Sequence, residues 1–153
     1  MKAVIQRVSR ASVTVDGEVK GEINEGFLVL LGVEETDTPD DADLLAKKTA
    51  NLRIFCDNED KMNLSLLDKA GEALVISNFT LCADTKKGNR PSFIKAMGPE
   101  RANEMYEYFC VKLAEEGVKK VEKGVFGGDM KVDLLNNGPV TIILDTAIWR
   151  KKD

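Results

Sequence analysis

Ser77, Asn78 and Thr80 are the residues best placed to do chemistry, because they set two hydroxyls and an amide inside the otherwise apolar run Val75-Ile76-Ser77-Asn78-Phe79-Thr80-Leu81. Buried hydroxyls and amides cost free energy unless paired, so each needs a neighbouring backbone group or a ligand. The run leads into Cys82-Ala83-Asp84 and a basic loop that carries Lys86, Lys87 and Arg90, with Lys95 just beyond it. The 153 residues contain no histidine. That removes the usual general base, the usual zinc ligand and every Ser-His-Asp or Cys-His arrangement. A side-chain base here is either a carboxylate such as Asp84 or a hydroxyl activated by its surroundings. Cys56, Cys82 and Cys110 show no Cys-x-x-Cys spacing and an odd count, and read as reduced core residues. A thiol hydrolase built on Cys82 lacks the imidazole that would lower its pKa.

The second informative segment is Asn136-Asn137-Gly138-Pro139-Val140-Thr141, lying between the strand-like stretches Met130–Leu135 and Thr141–Thr146. Asn-Gly between such runs ordinarily makes a two-residue turn. Pro139 has no N–H for a ladder, and an X-Pro bond reaches the cis form for about 0.5–1 kcal/mol, against about 3 elsewhere. A rigid loop presenting backbone carbonyls is the expectation.

These residues need a scaffold. Lys2 to Ser9 alternates as a strand, and Ser12 to Val15, the Asp16-Gly17 turn and Glu18 to Ile23 read as a hairpin. Gly26 to Gly32 is a continuous apolar run, short enough for a fully buried strand. Thr38 before Pro39, with two acids following, opens a helix to about Leu52 whose inward face holds Leu45, Thr49 and Leu52. Arg53–Asp57 and Ala73–Leu81 read as strands around a turn-rich region, Asn58–Gly71. Pro99 to Glu116 is the clearest helix, with an inward stripe of Ala102, Met105, Phe109 and Leu113 and with Gly117 just past its end. The spacing predicts about seven strands and two helices in an α+β unit spanning 1–153, with a mostly antiparallel, barrel-like sheet.

Composition narrows the function. Apolar residues make up 43% and charged residues 31%, and no apolar stretch approaches bilayer length, so neither disorder nor a membrane span is expected and a cytoplasmic protein is. The net charge of −4 argues against broad wrapping of nucleic acid but not against a local contact to a strand end. Acidic pairs such as Asp40-Asp41 sit at a helix start, where the dipole explains them, so no metal site and no cofactor is expected. The role of the basic end, 150–152, is left open by the sequence, a frayed tail being common.

Ser77-Asn78-Phe79-Thr80-Leu81 resembles the Ser-Gln-Phe-Thr-Leu motif of D-aminoacyl-tRNA deacylases, and Asn136 to Thr141 resembles their Asn-x-Gly-Pro-Val-Thr motif. Val4–Val13, Arg90-Pro91-Ser92-Phe93 and Phe126-Gly127-Gly128-Asp129-Met130 are similar to that family too, and the resemblance runs through essentially the whole chain. It implies a homodimer in which the Gly138-Pro139 loop, with a cis peptide, enters the partner's pocket beside Ser77–Thr80. It further implies hydrolysis of D-aminoacyl-tRNA, and of glycine mischarged on tRNA, with rejection of L-aminoacyl-tRNA. Thr80 then positions substrate, since an unassisted threonine hydroxyl is a weak nucleophile near neutral pH. Backbone N–H groups around Phe79 and Thr80 hold the oxyanion beside Ser77. Arg7 braces the loop that contains Asn136, Gly138 and Pro139. Lys86, Lys87, Arg90 and Lys95 are expected to meet tRNA phosphates. Asn78 departs from the motif, shorter than Gln by one methylene, so a bond made by that Gln is lost, lengthened or bridged by water. The competing reading is a non-catalytic module that binds RNA 3′ ends.

Overall fold

The computed structural model describes residues 1–150; Lys151 and Lys152 of the basic end lie outside them. Strand β1 (Lys2–Val15) is one continuous strand where the sequence suggests two segments. β2 (Glu18–Ile23) and β3 (Gly26–Gly32) pair antiparallel with successive lengths of one β1 edge. Helix α1 (Pro39–Asn51) then crosses over, and after the short β4 (Phe55–Cys56) and β5 (Met62–Leu64) hairpin, β6 (Glu72–Ser77) runs parallel to β3. Helix α2 (Pro99–Glu115) makes a second crossover to β7 (Val121–Lys123), parallel to β6. Parallel neighbours require such connections, and here each contains a helix. Finally β8 (Lys131–Asp145) runs antiparallel along the other edge of β1.

Two cores fill this sheet. Alternate residues of the parallel pair face opposite ways: Phe27, Val29, Leu31, Ala73 and Val75 pack under the helices, whereas Leu28, Leu74 and Ile76 pack inside the curl of the sheet with Val8, Ala11 and Val13. A strand buried on both faces has no polar side to show, which is why Gly26–Gly32 reads as unbroken apolar sequence. The curl is tight enough that β2 lies across β7. At Gly21 an added Cβ would come within 2.7 Å of the Lys123 carbonyl, so only glycine allows the sheet to approach barrel closure.

The helix starts follow their capping sequences. The Thr38 N–H donates to Asp41 Oδ2 at 2.9 Å, and Pro occupies the first turn of both helices. The inward face of α2 is Ala102, Tyr106, Phe109, Cys110 and Leu113; Met105, counted in the stripe from spacing, is only half-buried beside it. Gly117 takes φ +115°, the left-handed conformation that ends the helix.

Three readings are corrected. The stretch expected as a strand to Leu81 stops at Ser77, and Phe79–Cys82 forms a 3₁₀ turn because the Asn78 side chain caps it. Of Arg53–Asp57 only Phe55–Cys56 is strand, and its partner β5 lies inside the expected turn region. The stretches around Gly138-Pro139 do not turn back on one another; residues 131–135 and 141–145 both belong to β8, since each finds its partners on β1. No helix among the described residues is long and apolar enough to cross a membrane.

A buried ionic cluster joins the beginning of β1, α1 and the end of β8. The Met1 ammonium donates to Asp37 Oδ1 at 2.5 Å and to Thr146 Oγ1 at 2.8 Å, and Arg150 donates to Asp37 at 2.7 Å and Asp41 at 3.2 Å. Burial works against ionisation of Asp41, but the Thr38 N–H, the Thr146 hydroxyl and the Arg150 guanidinium outweigh it and hold its carboxyl below the ordinary 3.8. A lowered carboxyl contributes stability that is complete above its unfolded pKa and is lost as pH falls through the folded one. Arg150→Met is expected to lower unfolding free energy by about 1 kcal/mol at neutral pH, its head being partly exposed. That difference should shrink in urea titrations as pH falls below the ordinary carboxylate range and through the lowered folded pKa of Asp41.

Candidate active site

The pairing of β6 with β3 runs out at Leu31 and Ser77, and there the chain opens a cavity of about 690 Å³. Ser77, Asn78 and Phe79 form one wall; Tyr106, Phe126 and Met130 supply much of the apolar remainder. The Tyr106 hydroxyl donates to the Val75 carbonyl at 2.6 Å, fixing the ring, and burial pushes its phenol well above the usual range, so it stays a protonated donor. Spacing along α2 misses Tyr106 because the residue falls one position beyond the counted stripe. Phe126 and Met130 carry no local chemical signal and enter the sequence reading only through the resemblance.

The Asn78 segment is held on both sides. Its N–H donates to the Leu31 carbonyl at 2.8 Å and its carbonyl accepts from Leu81 N–H at 3.3 Å. Its side-chain oxygen accepts from the Thr80 N–H at 3.2 Å and from the Thr80 hydroxyl. The structure thus separates the two expected oxyanion donors: the Thr80 N–H is occupied, whereas the Phe79 N–H has no partner among the described residues. The Phe79 ring is 58% exposed and meets Phe93 edge-on, with centroids 5.1 Å apart.

The Asn136–Thr141 segment lies apart from this cavity within the chain: none of Arg7, Asn136, Gly138 or Pro139 lines it. β1 pairs Gln6 with Thr141 and Val8 with Asn136, so Arg7 alone faces Asn137, Gly138, Pro139 and Val140, which bulge from β8. Asn136 closes the base of the bulge, donating to the Arg7 carbonyl at 3.2 Å and the Val140 carbonyl at 3.0 Å while accepting from the Val140 N–H at 3.3 Å. Arg7 donates through Nε to the Asn137 carbonyl and through Nη1 to the Ile54 carbonyl, both at 2.7 Å. The Gly138-Pro139 peptide is cis. Asn137, Gly138 and Pro139 are exposed, and buried Val140 anchors them to the core.

Lys86, Lys87 and Arg90 stand exposed on a loop whose base is pinned by paired backbone bonds between Asp84 and Ser92. Lys95 lies 3.5 Å from the Asp84 carboxylate. The Lys86 N–H and the Lys95 ammonium hold the Asp84 carboxyl below its usual range, making it a weak base, and it does not line the cavity. Cys82 is buried with its thiol turned to the Val33 carbonyl, and burial pushes its pKa up, which removes the thiol-hydrolase reading. Among the described residues no cluster of acidic and cysteine side chains could hold a metal ion.

Comparison with known proteins converges on one family. The D-Tyr-tRNA(Tyr) deacylase family model matches residues 4–145. The D-aminoacyl-tRNA deacylase of Bacteroides fragilis (strain YCH46) is 57% identical over 146 residues, covering 95% of this chain and 97% of that protein. The Flavobacterium johnsoniae D-aminoacyl-tRNA deacylase is 53% identical over the same shares. Among solved structures, the c-Myc DNA unwinding element binding protein superposes with a TM-score of 0.90 at 43% identity, covering 95% of this chain and 98% of that one. A probable eukaryotic D-amino acid tRNA deacylase, at 15% identity and TM-score 0.81 over 94% and 97%, shares the fold.

Burial also pushes the Cys110 thiol up to about 12. Iodoacetamide at neutral pH is therefore expected to leave Cys82 and Cys110 unmodified in the native protein and to alkylate both in urea, as read by mass spectrometry.

Proposed function

This chain belongs to the D-aminoacyl-tRNA deacylase family and is an enzyme, a hydrolase; from that premise we propose that it cleaves the ester at the cavity wall formed by Ser77, Asn78 and Phe79. The observation that carries this reading is the unpartnered Phe79 N–H on that wall. Water oxygen attacks the ester carbonyl carbon and the carbonyl π electrons move onto its oxygen, which the Phe79 N–H receives. Collapse breaks the bond to the ribose oxygen, which leaves with a proton, giving free amino acid and tRNA. A preorganised donor of this kind is worth about 3 kcal/mol, and the carboxylate of Asp84 does not line the cavity. The neighbouring ribose hydroxyl assists the water, and Thr80 positions rather than attacks.

The terminal adenosine fills the apolar cavity, its base against Tyr106 and Phe126. Lys86, Lys87, Arg90 and Lys95 meet phosphates of the acceptor end, supported by the exposure of the first three.

Chiral selection comes from a second copy of the chain. In the homodimer the bulge bearing Gly138 and Pro139 enters the partner's cavity and sets backbone carbonyls against the substrate's α-carbon. An L side chain would point into those oxygens; a D side chain or a glycine hydrogen would not, so glycine on tRNA is also a substrate. Discrimination by exclusion is what this task needs, because apolar preference yields only about 10–200-fold per methylene. The Arg7 bond to the Asn137 carbonyl supports a braced bulge.

Wild-type protein in chelator is expected to release D-tyrosine from D-tyrosyl-tRNA and to spare L-tyrosyl-tRNA; tight binding of tRNA without release would favour the non-catalytic module. Gly98 lines the cavity and has an ordinary φ of −57°, and a Cβ added there would meet nothing within 4 Å. Gly98→Trp should therefore keep the melting temperature while lowering kcat/KM about tenfold or more by filling the cavity. Arg7→Ala is expected to narrow the D-over-L ratio about tenfold, the value of one charge-assisted hydrogen bond. An unchanged ratio would remove Arg7 from chiral selection.

A further inference from the structure

The sequence holds one Asn-Gly pair, Asn137-Gly138, and it stands in the β8 bulge. The two asparagines there are held differently. Asn136 uses its whole side-chain amide: Nδ2 donates to the Arg7 and Val140 carbonyls, and Oδ1 accepts from the Val140 N–H. Asn137 is exposed, its carbonyl accepts from Arg7 Nε at 2.7 Å, and its side chain has no hydrogen-bond partner among the described residues. The next N–H, that of Gly138, has no partner in the β1–β8 ladder and none among the turn and loop bonds of the described residues. Position 138 accepts only glycine, since an added Cβ would overlap the Val140 nitrogen. The peptide nitrogen that follows Asn137 therefore carries no neighbouring side chain to hinder an approach to it.

We propose that Asn137 is a self-modification site, at which the Gly138 nitrogen displaces ammonia from the Asn137 side chain and leaves aspartate or isoaspartate, with Arg7 as the promoting group. Hydroxide from solvent takes the Gly138 N–H proton and becomes water. The negative charge of the amide anion is shared with the Asn137 carbonyl oxygen, where the Arg7 Nε–H already donates. That guanidinium needs no rearrangement to do so, because Nη1 is fixed on the Ile54 carbonyl at 2.7 Å. The Gly138 nitrogen then bonds to Asn137 Cγ and the π electrons move onto Oδ1; their return breaks the bond to Nδ2, which leaves as ammonia with a proton from water. Water opens the resulting cyclic imide at one carbonyl to give aspartate, or at the other to give isoaspartate. The balance is asparagine plus water to acid plus ammonia, with nothing oxidised or reduced. Either product places a carboxylate where a neutral amide stood, and isoaspartate adds one methylene to the main chain of the bulge. The modification rests on the chain's own bonds; its effect on chiral selection rests on the reading proposed above.

Ageing the purified protein in mildly alkaline buffer tests this, with peptide mass spectrometry to locate the exchange of NH₂ for OH and an isoaspartate-specific methyltransferase to read the rearranged product. Asn137 is expected to convert, with ammonia released in equal amount, while Asn136 stays intact. Asn137→Gln should lose the signal, because glutamine closes a larger ring far more slowly. Native protein should convert at least as fast as a synthetic peptide of residues 134–141, which has the same Asn-Gly pair and no Arg7. Arg7→Ala should convert about tenfold more slowly than wild type, one charge-assisted hydrogen bond's worth. Slower conversion in the native protein than in the peptide, or an Arg7→Ala rate equal to or above that of wild type, would overturn the proposal. Should Arg7→Ala melt at lower temperature, the comparison with the peptide decides. Aged wild-type protein should also lose D-over-L selectivity in step with the fraction converted. Complete conversion with an unchanged ratio leaves the modification standing and removes the bulge from chiral selection.

Discussion

The hydrogen bond from Asn78 N–H to the Leu31 carbonyl, at 2.8 Å, is the contact on which the site depends. It is the last bond of the β3–β6 pairing, and beyond it the two chains diverge to make the cavity. Because both strands are buried on both faces, neither can shift without disturbing two cores, so the point of divergence is fixed. A site built from backbone donors needs such rigidity, since no side-chain rotamer can correct a misplaced amide. The same reasoning applies at the carboxyl ends of parallel strands generally, where a crossover leaves a crevice with a stiff floor.

A chain without histidine can still hydrolyse an activated ester if charge is stabilised where it develops. Here the carboxylate nearest the segment is held strongly ionised by Lys86 and Lys95, and the nearest thiol is buried. What remains is a set of neutral dipoles in an apolar cavity, where they act with little screening.

Much of this was legible in the residues, and each exception has a physical cause. Gly26–Gly32 and α2 announce themselves because one period dominates over their length. The end of β6 does not: Val75 to Leu81 continues apolar, and only the geometry of a short amide reaching two residues ahead ends the strand. Likewise Gly138-Pro139 looks like a reversal, yet β8 runs on, because β1 is long enough to pair with both halves and only Arg7 sits opposite the excess. The first misreading arises where a local side-chain cap ends an apolar run, the second where a tertiary partner overrides a local turn signal. Tyr106 is a milder case, displaced by one position from a stripe counted on fixed spacing. The motifs themselves were visible; which atoms of them stay unpartnered required coordinates.

The bulge in β8 separates two kinds of length change. Within the regularly paired stretches of β1 and β8, inserting one residue would turn every following side chain to the opposite face and exchange core for solvent. Between Asn136 and Thr141 the ladder is already interrupted, and pairing resumes beyond it whatever lies between. Residues can therefore be gained or lost there without disturbing the register of either half. The reach of the projection is an independent variable of this architecture, free to evolve while the sheet that carries it stands still.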